Sequence, residues 1–297
     1  MEYNVFIDGK EVKLKTKEIE IADRQGSQAD SIRVHILNDP TLQIDRGSRI
    51  ECSFGGFKSG RMNIDSIGST STNTYIGAIS SPLGVKKKRT RHWLKVRLFD
   101  VVNDVAANSG LSVFYYGVEN FLYENVTQYR ETDLAFLNRL CEREGYALKI
   151  DDNRMVIYNK ALVEVGNITK KIGFGDVVSN RIRFSENPNK VRSVTVRYFS
   201  DRLISYTAGS GISGEDLIVY EYVANEAEAE RFAKGYYAKA TENDTTVDVI
   251  VPITDGIAAG NIVEFEDFAR FNGRYFVTEC HHDPENNHTR IKGRKVL

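Results

Sequence analysis

Residues 128–146 read QYRETDLAFLNRLCEREGY and carry the strongest local signals in the chain. Thr132 can accept a backbone hydrogen bond as a helix N-cap, and Asp133 suits the positive end of the helix dipole. Apolar residues then recur at helical spacing and form one stripe, made of Leu134, Leu137, Leu140 and Cys141. The sequence therefore predicts an amphipathic helix that ends at Gly145.

A second helix is predicted upstream of this stretch. Its apolar residues are Leu98, Val101, Val102, Val105 and Ala106. Gly110 stands where a left-handed C-terminal cap is expected, whereas Arg97 is a poor residue for the N-terminal cap. Strand-like segments accompany the two helices at 113–117, 121–123, 146–150 and 155–158. We therefore expect residues 86–165 to form a small α+β domain.

Both flanks of this domain are β-rich. In residues 1–85, apolar and polar residues alternate in short segments at 12–15, 32–36, 50–54, 61–67 and 73–79. In residues 166–297, strand-like segments occur at 191–198, 217–223, 245–251, 262–265, 275–281 and 289–292. The fold class expected from this pattern is α+β, mainly β, with two small barrel-like β domains and an α+β insertion.

The C-terminal region also contains one predicted helix. Asn225 and Glu228 have the spacing of a capping box. The residues that follow them define an apolar face, made of Ala229, Phe232, Ala233, Tyr236 and Ala240.

Composition and charge exclude several classes of protein. The chain has 297 residues, and 40 Lys and Arg nearly balance 41 Asp and Glu, so the net charge gives no reason to expect nucleic acid or an anionic membrane as the main partner. No run approaches the roughly 20 apolar residues of a membrane span, and we expect neither a signal peptide nor membrane insertion. Cys52, Cys141 and Cys280 are far apart in sequence, which favours buried free thiols in a reducing compartment.

The run Lys86–Arg91 is the main local concentration of positive charge. It follows a Pro-Leu-Gly turn, so we expect an exposed loop between the first two domains. A solvated loop is the simplest interpretation. The alternative is a patch that contacts an acidic partner surface or nucleic-acid phosphate.

The most ligand-like cluster is Cys280-His281-His282 with His288, because zinc prefers thiolate and imidazole ligands. Side chains alternate along a strand, so Cys280 and His282 should share one face while His281 points to the other. A second pair of ligands at short spacing is missing. The pattern therefore favours packing over metal binding, and we predict no metal site or cofactor.

Other catalytic patterns are also weak. The stretch 209–214 fits neither a Gly-x-Ser-x-Gly nucleophile elbow nor a phosphate-binding loop. Carboxylates that might cleave glycans are Glu142, Glu144, Glu264, Glu266 and Asp267, although a solvated face explains them better. Aromatic residues at 114–116 and 236–237 favour a core or an interface over stacking on bases or sugars. We predict no catalytic residue.

The order of the motifs is more specific than any one of them. The segment 90–93 leads into the first helix, and the decisive stretch contains Asp133-Leu134, Phe136-Leu137 and Gly145-Tyr146. Further matches are the turn at 29–32, the start of the third helix at 226–230, Ala-Gly-Asn-Ile-Val at 259–263, Asn-Gly-Arg-Tyr-Phe-Val at 272–277 and His282. Together they resemble the late control D family of phage baseplate hub proteins. The departures, Asn261 and Arg97, concern turn and cap chemistry.

This resemblance implies a structural function. It implies a homotrimeric ring that adapts a sixfold tail tube to a threefold spike and passes cargo, in the baseplate of a virion or tail-like particle assembled in the bacterial cytoplasm. The expected partners are the tube, spike, tape measure and baseplate wedge proteins. The related bases of type VI secretion spikes have a long β-helical extension that is not seen here, so we expect the spike to be a separate protein.

Two other functions stay open at this point. One is a tail-associated cell-wall hydrolase or glycan-binding module. The other is a DNA-binding channel protein that uses Lys86 to Arg91.

Overall fold

The computed structural model describes residues 2–26, 28–39, 42–82, 87–211, 213–253 and 256–296. In these residues the strands form one 14-stranded sheet, two three-stranded sheets and one two-stranded ribbon, accompanied by four α-helices. The predicted fold class, α+β and mainly β, is confirmed.

The N-terminal part of the large sheet curls around its own hydrophobic core. Along one strand, for example, Ile32, Val34 and Ile36 are buried while Arg33 is exposed, as alternation requires. The strands are β1 Tyr3–Ile7, β2 Lys10–Val12, β3 Thr16–Arg24, β4 Ser31–Leu37, β5 Arg49–Phe54, β6 Phe57–Lys58, β7 Met62–Ser69 and β8 Asn73–Ile79. The strand predicted at 12–15 is wrong beyond Val12.

The middle of the chain contains both helices expected there. Its elements are β9 Lys88–Arg97, α1 Leu98–Ala107, β10 Ser112–Tyr116, β11 Leu122–Thr132, α2 Asp133–Arg143, β12 Tyr146–Asp151, β13 Arg154–Asn159 and α3 Lys160–Glu164. The Thr132 hydroxyl caps α2 by accepting from the Ala135 N–H at 3.3 Å. Since Arg97 cannot cap α1, the distant Asn120 side chain does so and accepts from the Phe99 N–H at 2.9 Å.

One prediction in this region is corrected. The basic run continues into a strand, because β9 begins at Lys88 and pairs antiparallel with β11. Lys86 itself lies outside the described residues. Residues 88–91 are therefore part of a ribbon and not of a loop.

The C-terminal region adds nine strands and one helix. These are β14 Ile168–Ile172, β15 Ile182–Glu186, β16 Val191–Phe199, β17 Leu203–Gly209, β18 Glu215–Tyr220, α4 Glu226–Thr241, β19 Thr245–Pro252, β20 Ile262–Phe265, β21 Gly273–Asp283 and β22 His288–Lys295. Asn225 caps α4, as predicted, by accepting from the Glu228 N–H at 3.0 Å.

Three hydrophobic clusters organise these elements. The first belongs to β1–β8, and another lies under β14, β15 and β19–β22. The remaining cluster combines α1, α2 and their strands with α4 and the sheet β17-β16-β18, so it contains both Leu137 and Phe232. The division into 1–85, 86–165 and 166–297 stays a prediction; the middle core extends beyond residue 165.

One strand pair connects the two barrel-like parts. Strand β3 pairs antiparallel with β21 through Glu279 and Arg24, Cys280 and Asp23, His281 and Ala22, and His282 and Ile21. We call these four residue pairs the seam. Because of the seam, one continuous hydrogen-bonded sheet runs in the order β15-β19-β22-β21-β3-β4-β8-β7-β5-β1-β2.

Candidate interaction surfaces

The outer face of the seam has a network of charged side chains. Nδ1 of His281 lies 2.6 Å from Glu20 Oε1, and its Nε2 lies 2.7 Å from Glu279 Oε1. Both ring nitrogens donate in these contacts only when each carries a proton. Glu279 also accepts from Arg24 at 2.7 Å and from Lys292 at 2.6 Å. Partial burial alone would raise the pKa of Glu279, but these hydrogen bonds lower its pKa to about 2.

The inner face of the seam is buried. Cys280 and His282 are both buried, whereas His281 is partly exposed, which confirms the predicted alternation. Nδ1 of His282 lies 3.0 Å from the Thr289 hydroxyl, and the ring packs on Phe57 at 4.4 Å between centroids. Burial lowers the pKa of His282 to about 4, which favours the neutral ring. In the described ranges, no group of three or more His, Cys, Asp or Glu is placed to hold a metal ion.

Lys149 connects the middle part of the chain to the seam. From β12 its ammonium forms an ion pair with Asp23 on β3 and lies 3.5 Å from Asp30 Oδ2. The second oxygen of Asp23 accepts from the Ala259 N–H at 2.7 Å. Burial raises the pKa of Asp30 to about 7; Lys149 counteracts this shift and the nearby Asp23 adds to it. Three segments of the chain therefore meet at one buried charge cluster.

The three cysteines, Cys52, Cys141 and Cys280, are free and buried. The predicted buried thiols are therefore confirmed. Burial raises the pKa of the Cys52 and Cys141 thiols to about 12, so neither is activated as a thiolate near neutral pH.

The acidic residues considered for glycan cleavage are spread over two regions. Glu142 and Glu144, at the end of α2, pair with Lys239 and Arg231 at 3.0 Å each. On β20 and just after it, Glu264 and Glu266 both pair with Lys171, and Asp267 follows in a turn with φ of 70°. Each of these four glutamates therefore has an ion-pair partner.

A groove of about 510 Å³ runs between α3, α4 and the end of β22. Several of its charged side chains pair with one another, including Lys160 with Glu242 at 3.0 Å and Arg294 with Glu164.

The aromatic segments at 114–116 and 236–237 lie in different environments. Tyr115 stacks on Phe99 with ring centroids 3.9 Å apart, whereas Phe114 and Tyr116 are about half exposed. Tyr236 packs against the middle core and donates to Glu221. The expectation of core and interface positions is consistent with this arrangement.

The outer face of the sheet β17-β16-β18 combines exposed apolar side chains with polar ones such as Thr195 and Thr207. Its inner side chains, such as Val194 and Val196, pack in the middle core with α4. Four apolar side chains on the outer face are exposed: Tyr220 78%, Phe199 72%, Leu203 57% and Ile218 47%. Sequence reasoning missed this face, although alternation in 191–198 and 217–223 could have separated its inner and outer side chains. Exposed apolar patches of this kind mark interaction sites.

The ribbon of β9 and β11 presents a different surface. Arg89 and Arg91 fold inwards onto the buried carboxylate of Asp133, at 3.4 and 3.2 Å. The two arginines are therefore neutralised within the fold, and only part of the predicted basic run faces solvent.

A family model and several solved structures are similar to this chain. Residues 73–165 match the model of the family described as phage tail baseplate hub (GPD). This segment includes the stretch 128–146, and the resemblance inferred from the sequence is confirmed. The chain matches no curated protein.

Solved structures extend the similarity to the whole chain. A tail protein from Neisseria meningitidis MC58 aligns with a TM-score of 0.78 and 15% identity, covering 99% of this chain and 97% of the other. The 43 kDa tail protein of prophage MuSo2 from Shewanella oneidensis gives 0.77 and 12%, covering 99% and 98%. The E. coli c3393 protein, a component of the type VI secretion system, gives 0.66 and 9%, covering 99% and 77%. At such identities the likeness establishes the fold.

Proposed function

We propose that this chain, which matches the baseplate hub family over residues 73–165 and has the fold of tail proteins throughout, is a structural hub subunit of a contractile tail or tail-like particle. Three copies form a ring that joins the sixfold tail tube to the threefold spike and leaves a central passage for cargo. The ring lies in the baseplate of the particle and is assembled in the bacterial cytoplasm.

The continuous sheet is the observation that carries this proposal. Each subunit has two barrel-like halves with separate cores, and the seam joins them through backbone hydrogen bonds. Three such subunits around a threefold axis present six similar units, which is the arrangement needed to match a sixfold tube. The expected partners are the tube and spike proteins, with the tape measure and wedge proteins as further contacts.

The outer face of the β17-β16-β18 sheet supports association between copies. Tyr220, Phe199, Leu203 and Ile218 expose apolar surface on a sheet whose opposite face is already buried. Burying them against a second copy would remove that surface from water.

We also propose that the hub has no catalytic activity. The buried thiols and the ion-paired glutamates support this proposal. A peptidoglycan suspension should keep its turbidity when purified protein is added. Loss of turbidity that disappears with Glu142→Gln or Glu264→Gln would favour the cell-wall hydrolase instead.

Mass measurement tests the assembly directly. Light scattering of the purified protein is expected to give three times the subunit mass of 33.6 kDa, and a mixture with the tube or spike protein of the same particle is expected to give a larger complex that contains three copies of this chain. A mass of one subunit under all of these conditions would contradict the trimer.

A further inference from the structure

The outer face of the β9-β11 ribbon is positively charged. Five cations on or beside the ribbon are exposed and, in the described part of the chain, none forms an ion pair with a carboxylate. These cations are Lys87, Lys88, Lys95, Arg97 and Arg130. Glu124 is an exposed anion on the same face. The whole chain is nearly neutral, with a net charge of −1, so the excess of positive charge on the ribbon is local.

Two of these cations have unusual backbone conformations. Lys95 has φ of 47° and Arg130 has φ of 48°, both in the left-handed region. Such values are uncommon and strained for residues with a β-carbon. The pairing register shifts between Gln128 and Glu131, which is a bulge around Arg130. Bulges redirect side chains and are frequent next to functional sites. The left-handed backbone at Lys95 and Arg130 therefore fixes the directions in which these two cations leave the ribbon.

Apolar side chains lie among the cations. Leu94 is 68% exposed, Tyr129 67% and Leu122 53%, while the opposite face of the ribbon, with Trp93 and Tyr123, packs in the middle core. Aliphatic side chains cannot stack on bases, whereas protein interfaces commonly combine apolar residues, Tyr and Arg at their centre with charges at the rim. This composition favours a protein partner over nucleic acid.

Resting on the proposed function, we propose that the outer face of the β9-β11 ribbon docks a second protein of the particle, through a surface on that protein that has an apolar centre surrounded by carboxylates. Leu94, Leu122 and Tyr129 contact the apolar centre. The five free cations pair with the carboxylates around it. This contact is separate from the sheet face proposed to join copies of the chain.

Site-specific photocrosslinking in the bacterium that makes the protein tests this proposal. A Leu94→p-benzoylphenylalanine substitution places the probe at the centre of the ribbon. It is combined with the charge reversals Lys95→Glu, Arg97→Glu and Arg130→Glu. The matched control reverses three other exposed cations in the N-terminal part, through Lys13→Glu, Lys15→Glu and Lys17→Glu.

We expect irradiation to link position 94 to one other protein, at a peptide within an acidic surface. The yield is expected to fall by roughly tenfold or more with the ribbon reversals, because they place like charges across the contact, and to stay unchanged with the control reversals. A nuclease-sensitive product, a product with a second copy of this chain, an unchanged yield in the ribbon variant or no product would each overturn the proposal. The mass of each purified variant reports on the trimer separately.

Discussion

In the middle core, Gly235 and Arg143 lie at the close contact between α4 and α2. Gly235 lies on α4 where the helix meets the end of α2, and a β-carbon added there would come within 2.2 Å of the Arg143 carbonyl oxygen. The Arg143 guanidinium is buried over the ring of Phe232 at 4.3 Å and donates to Glu221 at 2.7 Å. Glycine at 235 therefore lets the two helices pack closely. The ion pair with Glu221 neutralises the buried Arg143 beside this contact.

Gly235→Ala tests the close approach of the helices. Alanine favours a helix by about 1 kcal/mol over glycine, but overpacking against a backbone carbonyl costs about 1–3 kcal/mol. We expect a net loss of stability in urea denaturation. Gly175→Ala is the control, because a β-carbon at that position meets nothing within 4 Å. Equal stability of both variants would contradict the packing described.

Glu221→Ala tests the buried ion pair. It leaves the Arg143 charge buried without its hydrogen-bonded partner, and we expect a loss of about 2–4 kcal/mol, below the full range for buried pairs because the Glu221 side chain is 17% exposed. Glu230→Ala is the matched control, since it removes a surface carboxylate that pairs with Lys234 on the same helix. Its effect in the same denaturation experiment should be small.

At the scale of elements, the seam fixes how the two barrel-like parts are joined. Its outer face carries the network around Glu279 and its inner face is buried. The sign of the pH effect follows from the lowered pKa of Glu279. The folded value of about 2 is below the ordinary 4.5, so the stabilisation is complete above about 4.5 and is lost as the pH falls through about 2.

Glu279→Gln should therefore flatten the acid side of the stability profile. We expect the variant to be less stable than the parent at neutral pH and to lose less stability between pH 4.5 and 2, measured by denaturant unfolding at each pH. Glu226→Gln, at the exposed start of α4, should reproduce the parent profile. The same slope for Glu279→Gln and the parent would show that the network does not stabilise the fold.

The elements with strong local signals could be predicted from the sequence, and those defined by distant partners could not. Thr132 and Asn225 provide their own caps, so α2 and α4 were predicted closely. Strand β3 was not predicted, although a turn follows it at 29–32, and its pairing with β21 depends on a distant segment of the chain. The seam could not be predicted for the same reason, although alternation correctly placed Cys280 and His282 on one face of the strand and His281 on the other. The outer faces of the ribbon and of the β17-β16-β18 sheet required knowledge of which opposite faces are buried.

At the scale of the whole molecule, two exposed surfaces divide the proposed contacts. The sheet face around Tyr220 combines exposed apolar side chains with polar ones such as Thr195 and Thr207, whereas the ribbon face combines apolar side chains with cations that form no ion pair with any described carboxylate. In the described residues, no helix is long and apolar enough to cross a membrane.

The double substitution Phe199→Asp and Tyr220→Asp should weaken association between copies. Carboxylates placed on the sheet face would have to be desolvated in the contact, so light scattering is expected to show a lower mass than for the parent. Leu94→Asp on the ribbon should leave the mass unchanged. A parent-like mass for the double variant would assign the contact between copies to another surface.

The seam has a further consequence for geometry. Side chains alternate along a strand, so a slip of β21 by one residue against β3 would bring His281 into the core and expose Cys280 and His282. The next register that keeps the faces correct is two residues away, a displacement of about 6–7 Å along the strand. The relative height of the two barrel-like parts can therefore change only in coarse steps, and small vertical errors are excluded within each subunit.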